Sequence, residues 1–401
     1  MRRPSLAASL AVALAGLSPL TSAAHAQDRS QVPVLDLRTP DARWAEPFTA
    51  LGGVRELGDG RVIVADRTEK SIQLLDLARG ASTRIGREGG GPNEYRVPGP
   101  VLALPGDSTA VFDMGSMRYL LVAPDGSVAG TFSTADPSRP DMRLALPARG
   151  VDGAGNLYLF DRGIGLRPGG GPPVQPADSG TVLRFDRRTR TLTPVARVAV
   201  PKAEISSEGS ATNRRVMVRT GTPFAAQDEW AVGLDGRVAV VRHDPYRVEW
   251  LAPGGRRVTG PAMPYERLRV TERDREEYRE RSRSGAGIRM AVTVGGEGAS
   301  TRMAPTTASA ALPEPGDWPE FKPPFLAGAA TVAPDGRLWV LRTRPAGDDV
   351  PRYDVFDSFG ELSATVILPP ATRLLGFGRN SAYVVRKDAD ELEYLERYRL
   401  W

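Results

Sequence analysis

The chain has 401 residues, of which 41% are hydrophobic, and it carries a formal net charge of +5 and no cysteine. This apolar content is sufficient for a large folded core and excludes disorder along the whole chain. The absence of cysteine excludes disulfides, thiolate catalysis and a lipid attached through an N-terminal thioether.

The first 26 residues have the pattern of a cleavable signal peptide. Arg2 and Arg3 form a basic start, Leu6 to Leu17 is an apolar run, and Ala24-His25-Ala26 is a small-residue cleavage signal. The apolar run is shorter than the roughly 20 residues that span a bilayer, and no later segment comes closer. We therefore predict that residues 27–401 form an exported protein, periplasmic or extracellular, without a transmembrane segment.

Six short apolar segments recur along the chain, and each follows a turn. The turns contain Gly, Asp or Asn, which accept positive φ or bond their own backbone. Six such repeats indicate stacked sheets of one kind. The segments are VIVAD (Val62–Asp66), TAVFD (Thr109–Asp113), LYLFD (Leu157–Asp161), VAVVR (Val238–Arg242), LWVLR (Leu338–Arg342) and AYVVR (Ala382–Arg386).

Each of these segments is preceded by another apolar run and followed by a third strand, and five are followed by a fourth. This arrangement predicts an all-β fold, a six-bladed β-propeller of four-stranded antiparallel blades. The sixth blade lacks a fourth strand because the chain stops at Trp401. Val32 to Leu37 (VPVLDL) is a strand without a blade of its own, and we predict that it completes the last sheet and closes the ring.

Two stretches resemble known propeller proteins. Gly53 to Leu77 (GVRELGDGRVIVADRTEKSIQLLDL) resembles an NHL-type blade, in which a strand ending in Asp precedes a polar turn and a third strand. Gly86 to Tyr95 (GREGGGPNEY) and YRVEWL from Tyr246 are similar to segments of exported six-bladed propellers. The resemblance implies architecture rather than activity, and blades four to six depart from it by ending the second strand in Arg.

A long insertion, about 262–322, separates blades four and five. Thr271 to Ser284 (TERDREEYRERSRS) predicts a helix that Thr271 caps and that Asp274 stabilises near its N-terminus. This helix has no apolar stripe apart from Tyr278, so we expect it to lie in solvent over one face of the ring. The insertion is either a lid or a mobile excursion. The glycine-rich stretch Gly165 to Gly180 is interpreted as a loop.

The candidate ligand-binding residues are of two kinds. The first kind ends a second strand, where the side chains would form a ring on the face that we call the top face; the second kind lies on the junction between blades one and two. An Asp or Arg at such a strand end also commonly bonds the next turn, and this structural role remains open. The candidates are Asp66, Asp113, Asp161, Arg242, Arg342 and Arg386, with Arg87, Asn93 and Glu94 on the junction.

Composition restricts catalysis. The two histidines are His25, which leaves with the signal peptide, and His243, which we interpret as a loop residue. Zinc sites built on His or Cys are therefore excluded, whereas Ca²⁺ held by carboxylates from separate blades is compatible with the composition. No catalytic residue or cofactor can be identified from the sequence, and no compact basic block with interleaved aromatic residues indicates a nucleic-acid partner.

We therefore expect an exported binding protein that uses the top face of the ring for a protein partner or a small polar ligand. The alternative is a divalent-metal propeller hydrolase or lactonase that would bind Ca²⁺.

Overall fold

The computed structural model describes residues 32–135, 146–162, 178–201, 203–210, 213–220, 223–283, 291–295 and 318–400. Six sheets form the blades of a six-bladed β-propeller, and from blade six through blades one to five the first strand of each blade contacts that of the next. The prediction of an all-β propeller with four-stranded antiparallel blades is confirmed. Residues 1–26, which carry the signal-peptide prediction, lie outside the described ranges.

The strands are numbered in chain order. Strands β1 (Val34–Asp36) and β2 (Ala42–Arg43) precede blade one, which comprises β3 (Leu51–Glu56), β4 (Val62–Asp66), β5 (Ser71–Asp76) and β6 (Ala81–Arg84). A parallel pair, β7 (Arg87–Glu88) and β8 (Glu94–Tyr95), leads to blade two, which comprises β9 (Pro98–Ala103), β10 (Thr109–Asp113), β11 (Arg118–Val122) and β12 (Val128–Phe132). Blade three comprises β13 (Ala148–Val151), β14 (Leu157–Asp161), β15 (Ser179–Asp186) and β16 (Thr191–Ala199).

The connection to blade four carries β17 (Ala203–Ser210) and β18 (Asn213–Thr220), and blade four comprises β19 (Glu229–Val232), β20 (Val238–His243), β21 (Tyr246–Leu251) and β22 (Arg257–Thr259). The insertion contains helix α1 (Glu272–Arg283) and β23 (Ala291–Gly295). Blade five comprises β24 (Ala330–Val332), β25 (Leu338–Leu341), β26 (Arg352–Phe356) and β27 (Leu362–Ile367). Blade six comprises β28 (Thr372–Phe377), β29 (Ser381–Lys387) and β30 (Glu393–Arg399), together with β2.

The second strand of each blade is the most apolar because it is covered on both faces by neighbouring blades. All residues of β4 and β10 are buried, including their terminal aspartates. Between blades four and five, Val241 and Val248 belong to the same buried cluster as Val340 and Phe356. Continuous apolar segments, rather than alternating ones, are therefore the sequence pattern of this position in the ring.

The turns before the second strands repeat an Asp-Gly-Arg sequence in blades one, four and five. Gly60, Gly236 and Gly336 have φ values of +87°, +77° and +84°, in the region that glycine occupies at low cost. In each turn the aspartate accepts the backbone N–H of the arginine at 3.0 Å. These bonds fix the reversal that precedes the buried strand.

Closure of the ring uses the N-terminal segment, as predicted, but the residues differ from the prediction. Val32 to Leu37 does not complete blade six: β1 lies parallel to β27 as a fifth strand of blade five, with Leu35 opposite Val366. Blade six is completed by β2, which pairs antiparallel to β30. The two-residue β2 has no pattern that could have indicated this, whereas the apolar sequence of β1 suits the edge of either blade.

The predicted helix of the insertion is confirmed, and of residues 272–280 only Asp274 is buried, but its start is anchored by contacts that the sequence did not indicate. The Thr271 hydroxyl donates to Asp274 at 2.7 Å and accepts the Asp274 backbone N–H, so the predicted cap is present. Asp274 is buried and forms an ion pair with buried Lys322, and Tyr278 packs edge-on against Trp318. Polar and aromatic contacts at the helix start thus replace the apolar stripe.

Strands from two different connections form a small sheet that the sequence did not predict. β18 pairs antiparallel with β17 on one side and with β23 on the other. The connection between blades three and four and the insertion between blades four and five are thereby joined. Most of the predicted loop Gly165 to Gly180, and the insertion beyond Gly295 as far as residue 317, lie outside the described residues.

Within the described parts of the chain, no helix is both long enough and apolar enough to cross a membrane.

Candidate functional site on the top face of the ring

The second strands of all blades end on the same side of the ring, where the chain also enters the first strands. We call this side the top face, and it carries the predicted ring of aspartates and arginines. The structure separates these residues into two groups, because the aspartates of blades one and two bind backbone and the arginines of blades four to six bind carboxylates.

Asp66 and Asp113 are buried and hold the entry to the first strand of their own blade. Asp66 accepts four backbone N–H groups, among them those of Thr49 and Ala50 at 2.8 and 2.9 Å. Asp113 accepts the N–H groups of Arg96 and Val97 at 3.1 and 2.9 Å. Both carboxylates are thus engaged as structural acceptors, which is the structural alternative considered from the sequence.

The other candidates are Asp161 on blade three and the residues of the junction between blades one and two. Asp161 is half-buried at the end of β14, opposite Thr181 of β15. On the junction, Arg87 donates to Glu94 at 2.8 Å and is 80% exposed, and Asn93 is exposed. The hydrogen bond from the Gly91 backbone and the contact with Arg87 lower the pKa of Glu94 below its ordinary value.

Arg242 binds two buried carboxylates at once. Its Nε and Nη2 donate to Glu249 Oε2 at 3.1 and 2.9 Å, and its Nη1 donates to Asp228 Oδ2 at 2.6 Å. The Asp228 carboxylate also lies 2.9 Å from His243 Nδ1 and accepts the Ala199 backbone N–H at 3.0 Å. His243 is therefore tied to this ion-pair network, which the sequence did not indicate.

Electrostatics keep the carboxylates of this network ionised. Burial alone would raise the pKa of Asp228, but hydrogen bonds from His243, the Ala199 backbone and Arg242 outweigh it and lower the pKa to about 2. For Glu249, burial is similarly outweighed by Arg242 and the neighbouring arginines Arg247 and Arg257, so its pKa is also lowered. Both acids are charged at neutral pH.

Arg342 and Arg386 repeat the arrangement in the next two blades. Arg342 Nε donates to Asp354 Oδ1 at 2.6 Å, and the same carboxylate accepts the Tyr246 hydroxyl of blade four at 2.9 Å. Arg386 Nε donates to Glu396 Oε1 at 2.9 Å. Arg43 of the closing strand β2 reaches the same Glu396 oxygen at 2.7 Å, so ring closure and the top face share one buried acid.

The three acids occupy one equivalent position on the third strand. Glu249, Asp354 and Glu396 lie opposite Val240, Val340 and Val384, two residues before the arginine in each case. This spacing makes each ion pair a diagonal contact between neighbouring strands. In blades one to three the equivalent residues are Gln73, Leu120 and Leu183, and the second strand ends in Asp instead of Arg. The end of the second strand and this position of the third strand therefore change together, from Asp with an uncharged residue to Arg with an acid. An alignment of the repeats could have revealed this joint change from the sequence.

A separate ion pair joins the innermost strands of blades three and four. Glu229, which is buried, accepts Arg149 Nη2 at 2.5 Å and the Gln227 side-chain amide at 2.9 Å. Arg149 also lies over the Trp230 ring, 4.9 Å from its centroid. These contacts stabilise the packing of two first strands. None of these residues had been singled out from the sequence.

Side chains suited to binding metal do not converge in the part of the chain that the structure describes. No group of three or more His, Asp or Glu residues there could hold a metal ion. The carboxylates nearest to the predicted ring are bonded to backbone N–H groups or to arginines instead.

Comparisons with known proteins show similarity to solved propeller structures. No family model matches the chain, and neither does any curated protein. The chain is similar to regucalcin, a calcium-binding protein from Agrobacterium tumefaciens, at 11% identity over 92% of this chain and 97% of that one, with a TM-score of 0.39. A gluconolactonase from Xanthomonas campestris has 12% identity over 90% and 94% of the two chains and a TM-score of 0.42. A Bacteroides fragilis protein named as exported has 12% identity over 92% and 94%, with a TM-score of 0.43.

Proposed function

We propose that this propeller is an exported binding protein whose top face recognises an acidic surface of a partner protein. One observation carries the proposal: three successive blades each present an arginine at the same position, and a buried acid holds each guanidinium in place. Arg242, Arg342 and Arg386 nevertheless remain 24%, 27% and 32% exposed. The array combines fixed geometry with access from solvent.

Fixed arginines are well suited to recognition. A guanidinium has five donors in a planar fork and binds carboxylates with two parallel hydrogen bonds. Side chains that are already ordered lose less conformational entropy when a partner binds. The buried acids therefore serve the top face by holding each arginine in one orientation before the partner arrives. Aspartates saturated by backbone N–H groups, such as Asp66 and Asp113, have no equivalent role in this proposal.

The test requires variants that reduce the arginine array without unfolding the protein. Arg242→Gln leaves Glu249 in contact with Arg247 at 3.1 Å and Asp228 in contact with His243 Nδ1 at 2.9 Å, and Arg386→Gln leaves Glu396 in contact with Arg43. The double variant R242Q/R386Q should therefore fold while losing two of the three guanidiniums. Charge reversal would instead place a new carboxylate beside a buried one, which is strongly unfavourable.

Matched controls lie at the other end of the same strands. Arg237 and Arg337 precede β20 and β25, pair with Asp235 and Asp335, and are 24% and 27% exposed. We expect proteins captured from the cell-envelope and secreted fractions by the wild type to be lost with R242Q/R386Q and retained with R237Q/R337Q. Equal capture by both double variants would remove the top-face arginines from consideration.

The metal-dependent hydrolase or lactonase is the competing outcome. Elemental analysis of the purified protein, followed by a screen of lactones and esters with and without a chelator, tests it directly. Bound Ca²⁺ together with chelator-sensitive turnover would replace the binding proposal. Export, which the basic start and apolar run of residues 1–26 and the NHL-like and exported-propeller-like segments support, is tested by N-terminal sequencing of the mature chain from fractionated cells.

A further inference from the structure

A groove of about 400 Å³ lies between blades three and four, away from the central axis. We refer to it as the blade three–four groove. One wall is formed by the outer strand β16 and the other by strands of blade four. Its volume falls within the range of small-molecule sites in proteins, about 300–1,000 Å³.

A β-bulge interrupts β16 where this strand lines the groove. The pairing of β15 with β16 skips one residue between Ala196 and Pro194, so that Val195 forms a β-bulge. Bulges bend the strand that contains them, and the proline next to it has no N–H to donate to a ladder. Apolar side chains line this part of the groove: Pro194, Val195, Ala196, Val240 and Leu251.

The charged lining of the groove has one sign. Arg197, Arg242 and Arg257 line it, and no carboxylate is among its described lining residues. Arg242 and Arg257 approach the same oxygen of Glu249, at 2.9 and 3.8 Å, so their guanidiniums lie close together. On the opposite wall, Arg197 donates to the Ser179 hydroxyl at 2.7 Å.

The charges behind the lining do not neutralise it. Glu249 and Asp228 are both 4% exposed and lie beneath Arg242, whereas Arg257 is 56% exposed. Two carboxylates therefore face three lining arginines and Arg247, which also contacts Glu249. An anion at the mouth of the groove would meet uncompensated positive charge.

From this combination we infer that the blade three–four groove binds a small amphipathic carboxylate, with its carboxylate on Arg197 and Arg257 and its apolar body along Pro194, Val195 and Leu251. Neither feature suffices alone, because an apolar ligand would leave the excess positive charge of the groove unneutralised and a small hydrophilic anion would leave the apolar wall in water. This site shares Arg242 with the top-face array but not Arg342 and Arg386, which lie in other blades.

Decanoate is the probe, used below its micellar concentration and titrated into the full-length mature protein by calorimetry. Decanol supplies the same chain without the charge, and acetate supplies the charge without the chain. We expect decanoate to bind at least about tenfold more tightly than either control compound. Equal affinity for decanol and decanoate, or no binding of decanoate, would overturn the inference.

Two groove variants test the assignment of residues. R197Q/R257Q should weaken decanoate binding by at least about tenfold, because each guanidinium supplies a charge-assisted hydrogen bond. Val195→Glu should abolish binding by placing a carboxylate on the apolar wall. The exposed Arg79→Gln of blade one is the matched control and should bind as the wild type does. Unchanged binding by R197Q/R257Q would show that the groove is not the site.

The outcome is distinguishable from that of the top-face proposal. R197Q/R257Q retains Arg342 and Arg386, so it should still capture the protein partner while losing decanoate. Conversely, Arg386→Gln changes no residue of the groove, so it should bind decanoate as the wild type does while capturing less of the protein partner. Loss of both activities in R197Q/R257Q, with wild-type folding, would contradict the separation of the two sites.

Discussion

The Glu396 carboxylate is the residue on which the top face and ring closure both depend. It is buried, and it accepts Arg386, Arg43 and the Tyr398 hydroxyl. A buried acid that loses its last cation is costly, typically by about 3–5 kcal/mol, whereas the loss of one of two cations is compensated by the other. The two arginines should therefore behave as mutual substitutes.

This redundancy predicts a strong coupling between Arg43 and Arg386. We expect Arg386→Gln alone to lower the free energy of unfolding by about 1 kcal/mol and R43Q/R386Q to lower it by about 3–5 kcal/mol, more than the sum of the single changes. Urea unfolding of the wild type, Arg43→Gln, Arg386→Gln and R43Q/R386Q measures this coupling. In a Glu396→Gln background the coupling should vanish, and simple additivity in the wild-type background would contradict the assigned network.

Asp228 should make the protein sensitive to acid. Its pKa of about 2 in the folded state lies below its ordinary value of 3.8. The stabilisation is therefore fully present above about pH 4 and is lost as pH falls towards 2, which amounts to about 2 kcal/mol. Asp228→Asn should lower stability at pH 6 and flatten the dependence between pH 4 and 2, measured by urea unfolding at each pH. An unchanged slope, or the same flattening with the exposed Glu46→Gln, would contradict this origin.

Sequence reasoning identifies the residues at strand ends but not the residues that hold them. Arg242, Arg342 and Arg386 are recognisable because each closes an apolar run. Their acids lie inside third strands, where a charged residue normally indicates the solvent side of an alternating strand. In this ring a neighbouring blade covers that side as well. The burial of Asp354 therefore depends on residues of another blade, which the sequence pattern of its own strand cannot indicate.

At the scale of elements, two short N-terminal strands have different consequences for stability. β1 adds a fifth strand to an already complete blade, and Val34 is 62% exposed. β2 covers the edge of β30, with Asp41 N–H and Trp44 N–H donating to Arg397 and Leu395 carbonyls at 2.8 and 2.9 Å. The first strand is an addition, whereas the second completes a sheet.

Two truncations of the mature chain test this difference. A chain starting at Leu37 lacks β1 and should lose about 1–3 kcal/mol, since few backbone hydrogen bonds disappear. A chain starting at Trp44 lacks β2 as well, together with the Arg43–Glu396 pair, and should lose at least twice as much and expose an aggregation-prone edge. Thermal unfolding and light scattering measure both effects. Equal stability of the two truncated chains would contradict closure by β2.

Elements that pair over long sequence distances account for the other differences from the sequence prediction. β17, β18 and β23 come from two connections, and β18 joins them. β17 and β18 form a local hairpin, whereas the short β23 gains its partner β18 only from a connection much earlier in the chain. The helix α1 was recognisable because its capping residues are local, whereas its anchor Lys322 lies far along the chain.

At the scale of the whole molecule, the ring is closed by strands from both ends of the chain. Ala42 lies opposite Arg397, and the Asp41 carboxylate binds the Arg397 guanidinium at 2.9 Å. The residues just before β2 and just after β30 are therefore neighbours, in the geometry of a hairpin whose loop is missing. The fold does not require a covalent link between β30 and β2. Such a link can be introduced in exchange for a link that is removed elsewhere in the ring.

A circular permutant makes this exchange. Joining Leu400 to Thr39 supplies the missing loop, and new ends in the exposed Gly254-Gly255 turn leave β22 to complete blade four without covalent continuity. Because new ends at an exposed turn break no ladder, we expect the permutant to unfold in one transition within about 2 kcal/mol of a chain starting at Thr39. Tryptophan fluorescence and far-ultraviolet circular dichroism during urea unfolding should coincide. A second permutant with Ala42 and Arg43 replaced by glycine should be less stable by about 2–3 kcal/mol, because two glycines weaken β2 and Glu396 keeps Arg386 but loses Arg43. Equal stability of the two permutants would show that β2 does not close the ring.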